Sequence, residues 1–410
     1  MKIYLVGGAV RDQLLGLQVR ERDWVVVGGT PETLIQQGYH QVGRDFPVFL
    51  HPLTHEEYAL ARTECKITPG YHGFICDFNP KVSLVDDLFR RDLTINAMAM
   101  DSNGRLIDPY HGQDDLRAKV LRHVSPAFIE DPVRVLRVAR FAARFHHLGF
   151  QLADETRSLM GQMVKRGELV HLVAERVWQE WQRSLGEQNP DLFIITLRQC
   201  GALKVVLPEI DALFGIPNKP QEIPDIDTGV HALTVLRAAT VLTEDHTVRF
   251  AAFTHEVGKA CTPMGLWPMH PNHDIAGMKV IEQLCQRLRI PTVYRMIAQL
   301  MLRFHARVQG LYELSPEAVV ECLEQSDAFR RRGLFEKLLI ATEAKARAMG
   351  YSMPYQLARD WNDVLDECCE CSAQPLIEQG YQGEAIQLAL RQQRALRVKT
   401  LLGSWNRHEK

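Results

Sequence analysis

The chain has 410 residues, 24% of them charged, and a formal net charge of −2; this length implies two to four domains, and the near-neutral balance excludes a globally basic coat for nucleic acid while leaving a local basic groove open. No apolar run approaches the ~20 residues of a membrane span, and the nine cysteines are scattered without paired zinc-type spacing, as suits a reducing compartment. A cytoplasmic protein is expected.

The first residues read as an apolar strand, a turn at Gly7 and Gly8 that opens a short helix bearing Arg11 and Asp12, and a second apolar strand, Trp24 to Val27. Glycines let a backbone approach a phosphate closely, N–H groups at a helix start point toward an anion, and Arg11 adds a planar charged donor. Glu21 and Asp23 lead into the second strand. Carboxylates two apart on a strand project to one side, so this pair is placed to grip one or two divalent cations. A tight turn followed by a surface charge pair is the plainer alternative.

Further on, the pattern predicts a short helix from Pro31 and a hairpin of two alternating segments, Phe46 to His51 and Glu57 to Ala61. The polar, glycine-containing stretch from Lys66 to Gly73 is expected to be mobile. Asp86 to Met100 reads as one helix carrying Arg90, Arg91 and Asp92 together. From Ser125 the strand signals fade and helical periodicity runs almost to the end, which gives an α+β architecture: an α/β head on a long helical body. Pro217 to Pro224 is the best boundary between two helical regions. Cys368, Cys369 and Cys371 lack a CxxC partner, so metal binding there is disfavoured.

The segment from Glu130 to Arg144 carries the most information after the opening. Glu130, Asp131 and Pro132 form a good helix start. Arg134, Arg137, Arg140 and Arg144 follow at spacings of three, three and four, which at about 100° per residue confines them to an arc of roughly 120°. The remaining positions from Val133 to Ala143 are apolar. A helix packed on most sides that keeps only arginine on its polar face is expected to turn that face toward a cleft for something anionic; a solvated polar face is the alternative. Asp131 and Arg134 also suit a base reader. A carboxylate accepts from the exocyclic amine of cytosine or adenine while a guanidinium donates to the ring nitrogen, and uracil and guanine present the opposite pattern.

Four ordered motifs together resemble a known family: Gly7-Gly8-Ala9-Val10-Arg11-Asp12, Glu21-Arg22-Asp23-Trp24, Arg90-Arg91-Asp92-Leu93-Thr94-Ile95-Asn96-Ala97 and Glu130-Asp131-Pro132-Val133-Arg134-Val135-Leu136-Arg137. The sequence is similar to the bacterial tRNA nucleotidyltransferases, or CCA-adding enzymes, of the class that includes bacterial poly(A) polymerases. The resemblance implies a nucleotidyltransferase head over 1–122, a helical neck over 123–220 that selects the nucleotide and meets tRNA, an HD-like helical domain over 225–330 and a helical tail over 331–410. It implies catalytic Mg2+ at Glu21 and Asp23, with Glu64 a further carboxylate near the metal, and nucleotide contacts at Gly8, Arg11, Arg91, Arg137 and Arg140. Base selection falls to Asp131 and Arg134. The family pair is Asp-x-Asp, so Glu21 departs from it, although glutamate still ligates magnesium. The implied partners are the tRNA acceptor end, CTP and ATP, with the protein a monomer or homodimer.

His231, His255, Glu256, His270, His273 and His305 fall where the family often carries an HD phosphohydrolase domain. There, histidines and an aspartate from separate helices converge on a divalent metal, Ni2+ or another. Here the doublet is His-Glu, and Ala306 stands where close relatives tend to have aspartate. The site set His231, His255, Glu256 and His305 therefore leaves two readings, a hydrolase active on phosphate esters including 2′,3′-cyclic ends, and a tRNA-binding body with residual histidines. Arginines at Arg330 to Arg332 and at Arg391, Arg394 and Arg397, with Lys399, fit either tRNA phosphates or exposed helix faces. Beside CCA addition stand three rivals: a poly(A) polymerase-like enzyme, a phosphohydrolase with a nucleotide-sensing head, and a non-catalytic tRNA-binding module.

Overall fold

Val25 and Val26 are adjacent on one strand, point to opposite faces, and are both buried, so the sheet that holds them is covered on each side. That explains the unbroken apolar run from Trp24 to Val27. In this computed structural model, which describes residues 1–42, 48–66, 74–218, 227–350 and 356–405, the strand is the centre of a head sheet. Its strands are β1 (Lys2–Val6), β2 (Asp23–Val27), β3 (His40–Val42), β4 (Val48–Leu50) and β5 (Glu57–Leu60), then, after a separate ribbon of β6 (Thr63–Lys66) and β7 (Phe74–Asp77), β8 (Ala99–Met100) and β9 (Leu106–Ile107). The order across the sheet is β3-β4-β5-β2-β1-β8-β9. β1 pairs antiparallel with β2, in register Leu5 to Trp24 and Val6 to Asp23, and β2 runs parallel to β5. The expected hairpin is present as β4 and β5, antiparallel.

One face of the sheet packs Val6 and Val25 against Leu84, Leu88 and Ala97. The other buries Val26 with Leu34, Phe49, Tyr58 and Leu60. On that second face Trp24 stacks on Tyr58, with ring centroids 5.6 Å apart, and donates through Nε1 to Glu56.

The head helices are α1 (Gly8–Leu14), α2 (Pro31–Gln36), α3 (Leu84–Phe89) and α4 (Gly112–Ala118). The single helix expected over Asp86 to Met100 is not formed. α3 begins on a capping box of Ser83 and Asp86 and stops at Phe89, a single 3-10 turn spans Thr94–Asn96, and the chain then enters β8. The cause is local competition: Asp92 Oδ1 accepts from the Leu93 N–H at 2.8 Å and from Asn96 Nδ2 at 2.8 Å, which draws the backbone out of helix. Glu21 likewise lies two residues ahead of β2, so only Asp23 of the carboxylate pair is on the strand.

Helix α5 (Val133–Phe145) is buried along nearly its whole length. It starts where Asp131 Oδ1 accepts from the Val133 N–H at 3.0 Å, a capping bond. Then come α6 (Asp154–Lys165), α7 (Ala174–Leu185), α8 (Asp191–Gln199) and α9 (Leu203–Val206), which complete a compact unit of Met1–Leu207.

A second unit, Pro208–Lys410, is helical. It contains α10 (Pro208–Asp211), α11 (Thr228–Leu242), α12 (His246–Thr254), α13 (His273–Arg287), α14 (Thr292–Gln309), α15 (Pro316–Gln325), α16 (Arg332–Ala348), α17 (Gln356–Cys369), α18 (Gln374–Glu378) and α19 (Glu384–Trp405). α16 packs on α11, α12 and α14. Residues 219–226, which include most of the expected boundary, and 67–73, most of the expected mobile stretch, lie outside the described residues. Among the described residues no helix is long and apolar enough to cross a membrane.

Candidate functional site

Gly7 takes φ 68, a conformation that side chains disfavour, and an added Cβ there would sit 2.9 Å from Arg91 Nη1. The turn therefore lets the Arg91 guanidinium lie against bare backbone. Gly8, half-buried, is already the first helical residue. Arg91 Nη2 donates to Asp87 Oδ2 at 3.1 Å, while its Nε is buried without an acceptor. Burial resists ionisation of Asp87, but Arg90 and Arg91 outweigh it and pull its carboxyl down to about 2.

Arg91 and Arg137 both act on Asp23. The Asp23 carboxyl is raised, first by loss of hydration in its crowded setting and then by Glu21, and these two arginines oppose the rise. Glu21 and Asp23 are both exposed, and among the described residues neither forms an ion pair within 4 Å. Two carboxylates that repel each other without a close counter-ion fit a divalent cation. Glu64 lies on β6, opposite Cys76; its side chain is outside the described set.

The arginine stripe of α5 meets protein carboxylates. Arg144 Nη2 pairs with Asp12 Oδ2 at 2.9 Å, Asp12 Oδ1 pairs with Arg11 at 2.7 Å, and Arg11 Nη1 donates to Asn96. Asn96 donates to Asp92, whose Oδ2 accepts from Arg137 Nε at 2.7 Å. Glu180 on α7 stands 4.0 Å from Arg137 and accepts from Arg140 at 2.6 Å. The result is one continuous network of alternating charge and amide from Arg144 to Arg140. Phe141 lies beneath the guanidiniums of Arg11, Arg137 and Arg140, 4.5–5.7 Å from its ring centre, an arrangement favourable to cations.

Burial opposes ionisation of Asp92, and Arg137, Asn96 and the Leu93 N–H more than reverse it, so Asp92 stays ionised far into acid. The Asp92 carboxylate is in turn the main reason that Arg137 is raised. Within the set, Arg11 and Arg140 are buried, whereas 34% of the Arg137 side chain is exposed. Asp131 is half-buried, with Oδ2 3.8 Å from Arg176, and Arg134 is buried and donates to the Ala127 carbonyl. Asp12 and Asn96 stand within the quoted motifs and Glu180 does not, but the contacts of all three with arginines escape a reading by motif, because they cross 132, 85 and 40 positions of chain.

In the second unit, His231 on α11, His255 after α12 and Glu256 each bring one ligand atom within 4.8 Å of the others, all buried. His255 Nδ1 lies 2.7 Å from the Ala252 carbonyl and His305 Nδ1 2.8 Å from that of Met301. Each Nδ1 must therefore carry the proton, which leaves Nε2 an acceptor. His255 Nε2, which lies 3.5 Å from Glu256 Oε1, both ring nitrogens of His231 and Glu256 Oε2 are buried without a hydrogen-bond partner. Converging unmet lone pairs fit a metal cation. His305 packs edge-on to His255 at 5.7 Å, while Ala306 lies on the exposed side of α14.

Burial pushes His231 down to about 4 and holds His255 and His305 low as well. Burial resists ionisation of Glu256, but the Lys259 ammonium bonded to its Oε1 favours the carboxylate and holds it low as well. His270 does not join the cluster, since its ring nitrogens engage Thr262 at 2.6 Å and the Pro217 carbonyl at 2.8 Å. His273 Nδ1 engages the His270 carbonyl.

The arginines of the basic clusters near the C-terminus are paired within the chain. Arg331 pairs with Asp327 at 3.3 Å, Arg332 with Asp366 and Glu336, Arg391 with Glu324, and Arg397 with Glu367 at 2.7 Å.

The chain matches the family described as "Poly A polymerase head domain" over residues 3–122, "Probable RNA and SrmB- binding site of polymerase A" over 149–214, and "HD domain" over 228–332. A relative from Legionella pneumophila subsp. pneumophila (strain Philadelphia 1), named multifunctional CCA protein, is 59% identical over 410 residues, covering 100% of each chain. The chain belongs to the multifunctional CCA proteins.

This multifunctional CCA protein shares the fold of the Bacillus stearothermophilus CCA-adding enzyme in complex with CTP. The likeness has TM-score 0.63 and 22% identity, and covers 99% of this chain and 94% of that one. A tRNA nucleotidyltransferase complexed with a primer tRNA and an incoming ATP analog is 25% identical, with TM-score 0.53 and coverage of 85% and 94%.

Proposed function

We infer that this chain is a tRNA nucleotidyltransferase that adds and repairs the 3′-terminal CCA of tRNA from CTP and ATP without a nucleic-acid template. Identity of 59% to a multifunctional CCA protein over the full length of both chains carries the reading, and the same name disfavours a poly(A) polymerase. The division of labour follows as head 1–122, neck 123–220, HD-like domain 225–330 and tail 331–410, acting on tRNA in the cytoplasm.

In this proposal Glu21 and Asp23 hold a divalent cation, Mg2+. Held there, such a cation would supply charge stabilisation to the triphosphate and activation of the primer 3′-hydroxyl for attack on the α-phosphorus. Arg91, with a buried Nε lacking an acceptor, and the partly exposed Arg137 take the charge of the triphosphate, beside the backbone at Gly8. Arg11 and Arg140 complete the nucleotide set as a rigid backing, fixed by Asp12, Asn96 and Glu180. Asp131 accepts from the exocyclic amine of C or A and Arg134 donates to the ring nitrogen, which refuses UTP and GTP. The test is to incubate the protein with tRNA lacking its last three nucleotides and each labelled NTP. Addition that stops at C, C, A is expected, and a long A tail or no addition overturns the reading.

A second activity is favoured by the unmet lone pairs of the histidine cluster. We propose that His231, His255 and Glu256, with His305 beside them, hold a divalent metal, Ni2+ or a similar ion, for phosphate-ester hydrolysis. Bound there, the metal supplies an activated water. The Ala252 and Met301 carbonyls fix the histidine tautomers. Turnover of p-nitrophenyl phosphate and of a 2′,3′-cyclic nucleotide in added Ni2+ is expected; no bound metal and no turnover would leave a tRNA-binding body.

A further inference from the structure

The head sheet carries a row of side chains that the metal and nucleotide sites do not use. Tyr58 on β5, Trp24 on β2, Leu5 on β1 and Met100 on β8 are register partners from strand to strand, so all four stand on one face. Asp23, one position earlier on β2, points to the other. Tyr58 is buried in the core of that face, whereas Leu5, Trp24 and Met100 stay half-buried and floor a cavity of about 320 Å³. That volume is at the lower end for a ligand site, room for a single ring system and little more.

One face of the Trp24 indole is taken by Tyr58, 5.6 Å away and inclined by 12°, and its N–H is held by Glu56 at 3.0 Å. The opposite face is therefore turned toward Leu5 and the cavity. Val19 closes the apolar wall, and the edge is polar, with the Gln13 amide and the Ser102 hydroxyl. Charge at the rim is already balanced. Arg22, the cation among the lining residues, lies 3.8 Å from Glu56, and Asp101 Oδ1 accepts from the Asn103 and Arg105 N–H groups at 2.9 Å each. A phosphate finds no surplus positive charge here, unlike at Arg91 and Arg137. The match is to a flat, uncharged ring with an apolar face and a hydrogen-bonding edge, which is the chemistry of a nucleobase.

We propose that this cavity is a base-binding site separate from Asp131 and Arg134, in which a nucleobase stacks on Trp24 and is edged by Gln13 and Ser102. The base is that of a free nucleoside or of an unpaired nucleotide of tRNA; only the second source rests on the CCA-adding reading above. Trp24 adjoins Asp23 in the chain, and Gln13 lies on α1, the helix opened by the Gly7 turn. An occupant thus touches both elements assigned above to metal and phosphate.

The test is equilibrium dialysis of the full chain, in EDTA, against labelled adenosine, which has no phosphate for the arginines to grip. Saturable binding is expected, with AMP binding no tighter than adenosine. Val19→Trp, which fills the cavity, and Trp24→Ala, which removes the stack, are each expected to weaken it about tenfold, with folding checked by circular dichroism. Asp131→Ala removes the base reader, so binding that survives it belongs to the cavity. Truncated tRNA lacking its last three nucleotides separates the two sources: displacement of adenosine assigns the cavity to an unpaired tRNA base, and joint binding assigns it to a free nucleoside. The proposal is overturned by a lack of saturable adenosine binding, by binding that Asp131→Ala abolishes, by undiminished binding in folded Val19→Trp, or by AMP binding about tenfold tighter than adenosine. The unaltered chain and Asp131→Ala decide the matter even if both cavity variants fail to fold, and neither readout depends on nucleotide addition.

Discussion

The head carboxylates and the histidine cluster, the two cation sites proposed above, are built in opposite ways. Glu21 and Asp23 are exposed, lack a close counter-ion among the described residues, and are flanked by arginines that are themselves pinned by Asp87, Asp92 and Glu180. His231, His255 and Glu256 are within 1% of full burial, with Lys259 already bonded to the carboxylate. An open site admits a macromolecular end and leaves its charges to solvent and ligand. A dry site must balance its charges within the protein, so removing one member unsettles the fold as well as the chemistry.

The sharpest way to break that contrast is Asp23→Ala. Incorporation of both CTP and ATP is expected to fall by roughly 10³-fold or more, the loss of a metal-centred step, with tRNA binding retained in a filter assay and the melting temperature hardly changed. Substantial turnover would remove Asp23 from the metal, and a large loss of stability would make the head site as structural as the buried one. Glu256→Ala should do the reverse and destabilise the second unit by about 3–5 kcal/mol, the usual result of stripping the partner from a buried charge. Denaturant unfolding checks this, and an unchanged midpoint would show that Lys259 is not held by Glu256 in solution.

Acid adds a third measurement. Asp87 is depressed from 3.8 to about 2 in the folded chain, so its contribution is present above pH ~4 and lost as pH falls toward 2. Its loss over that window is about 2 kcal/mol. Asp87→Asn should flatten that part of a stability–pH curve, and an unaltered slope would mean Arg90 and Arg91 do not hold it as described. The smallest effect is expected from Asp131→Ala. Discrimination against UTP and GTP should weaken by about tenfold, within the range of a base-edge contact, while turnover with CTP changes less. Unchanged selectivity would detach Asp131 from base reading.

Much of this organisation is legible in the residues. The Gly7-Gly8 turn, the apolar strand Trp24 to Val27 and the buried α5 follow from period and residue type, and the doublet His255-Glu256 follows from the family resemblance. The partners of the arginines do not. Arg11 and Arg144 meet at Asp12, and Arg137 and Arg140 at Glu180, only once separate elements have packed. Helix propensity over Asp86 to Met100 was overruled by a single side chain, Asp92, which bonds its neighbours.

Trp24 follows the Asp23 carboxylate directly in the chain, and its indole is stacked on Tyr58 with its N–H tied to Glu56. That makes it a built-in optical probe of the head. Exciting the tryptophans before and after adding Mg2+ and CTP, with Trp24→Phe as the blank, would follow occupancy of the polymerising centre in real time without any dye.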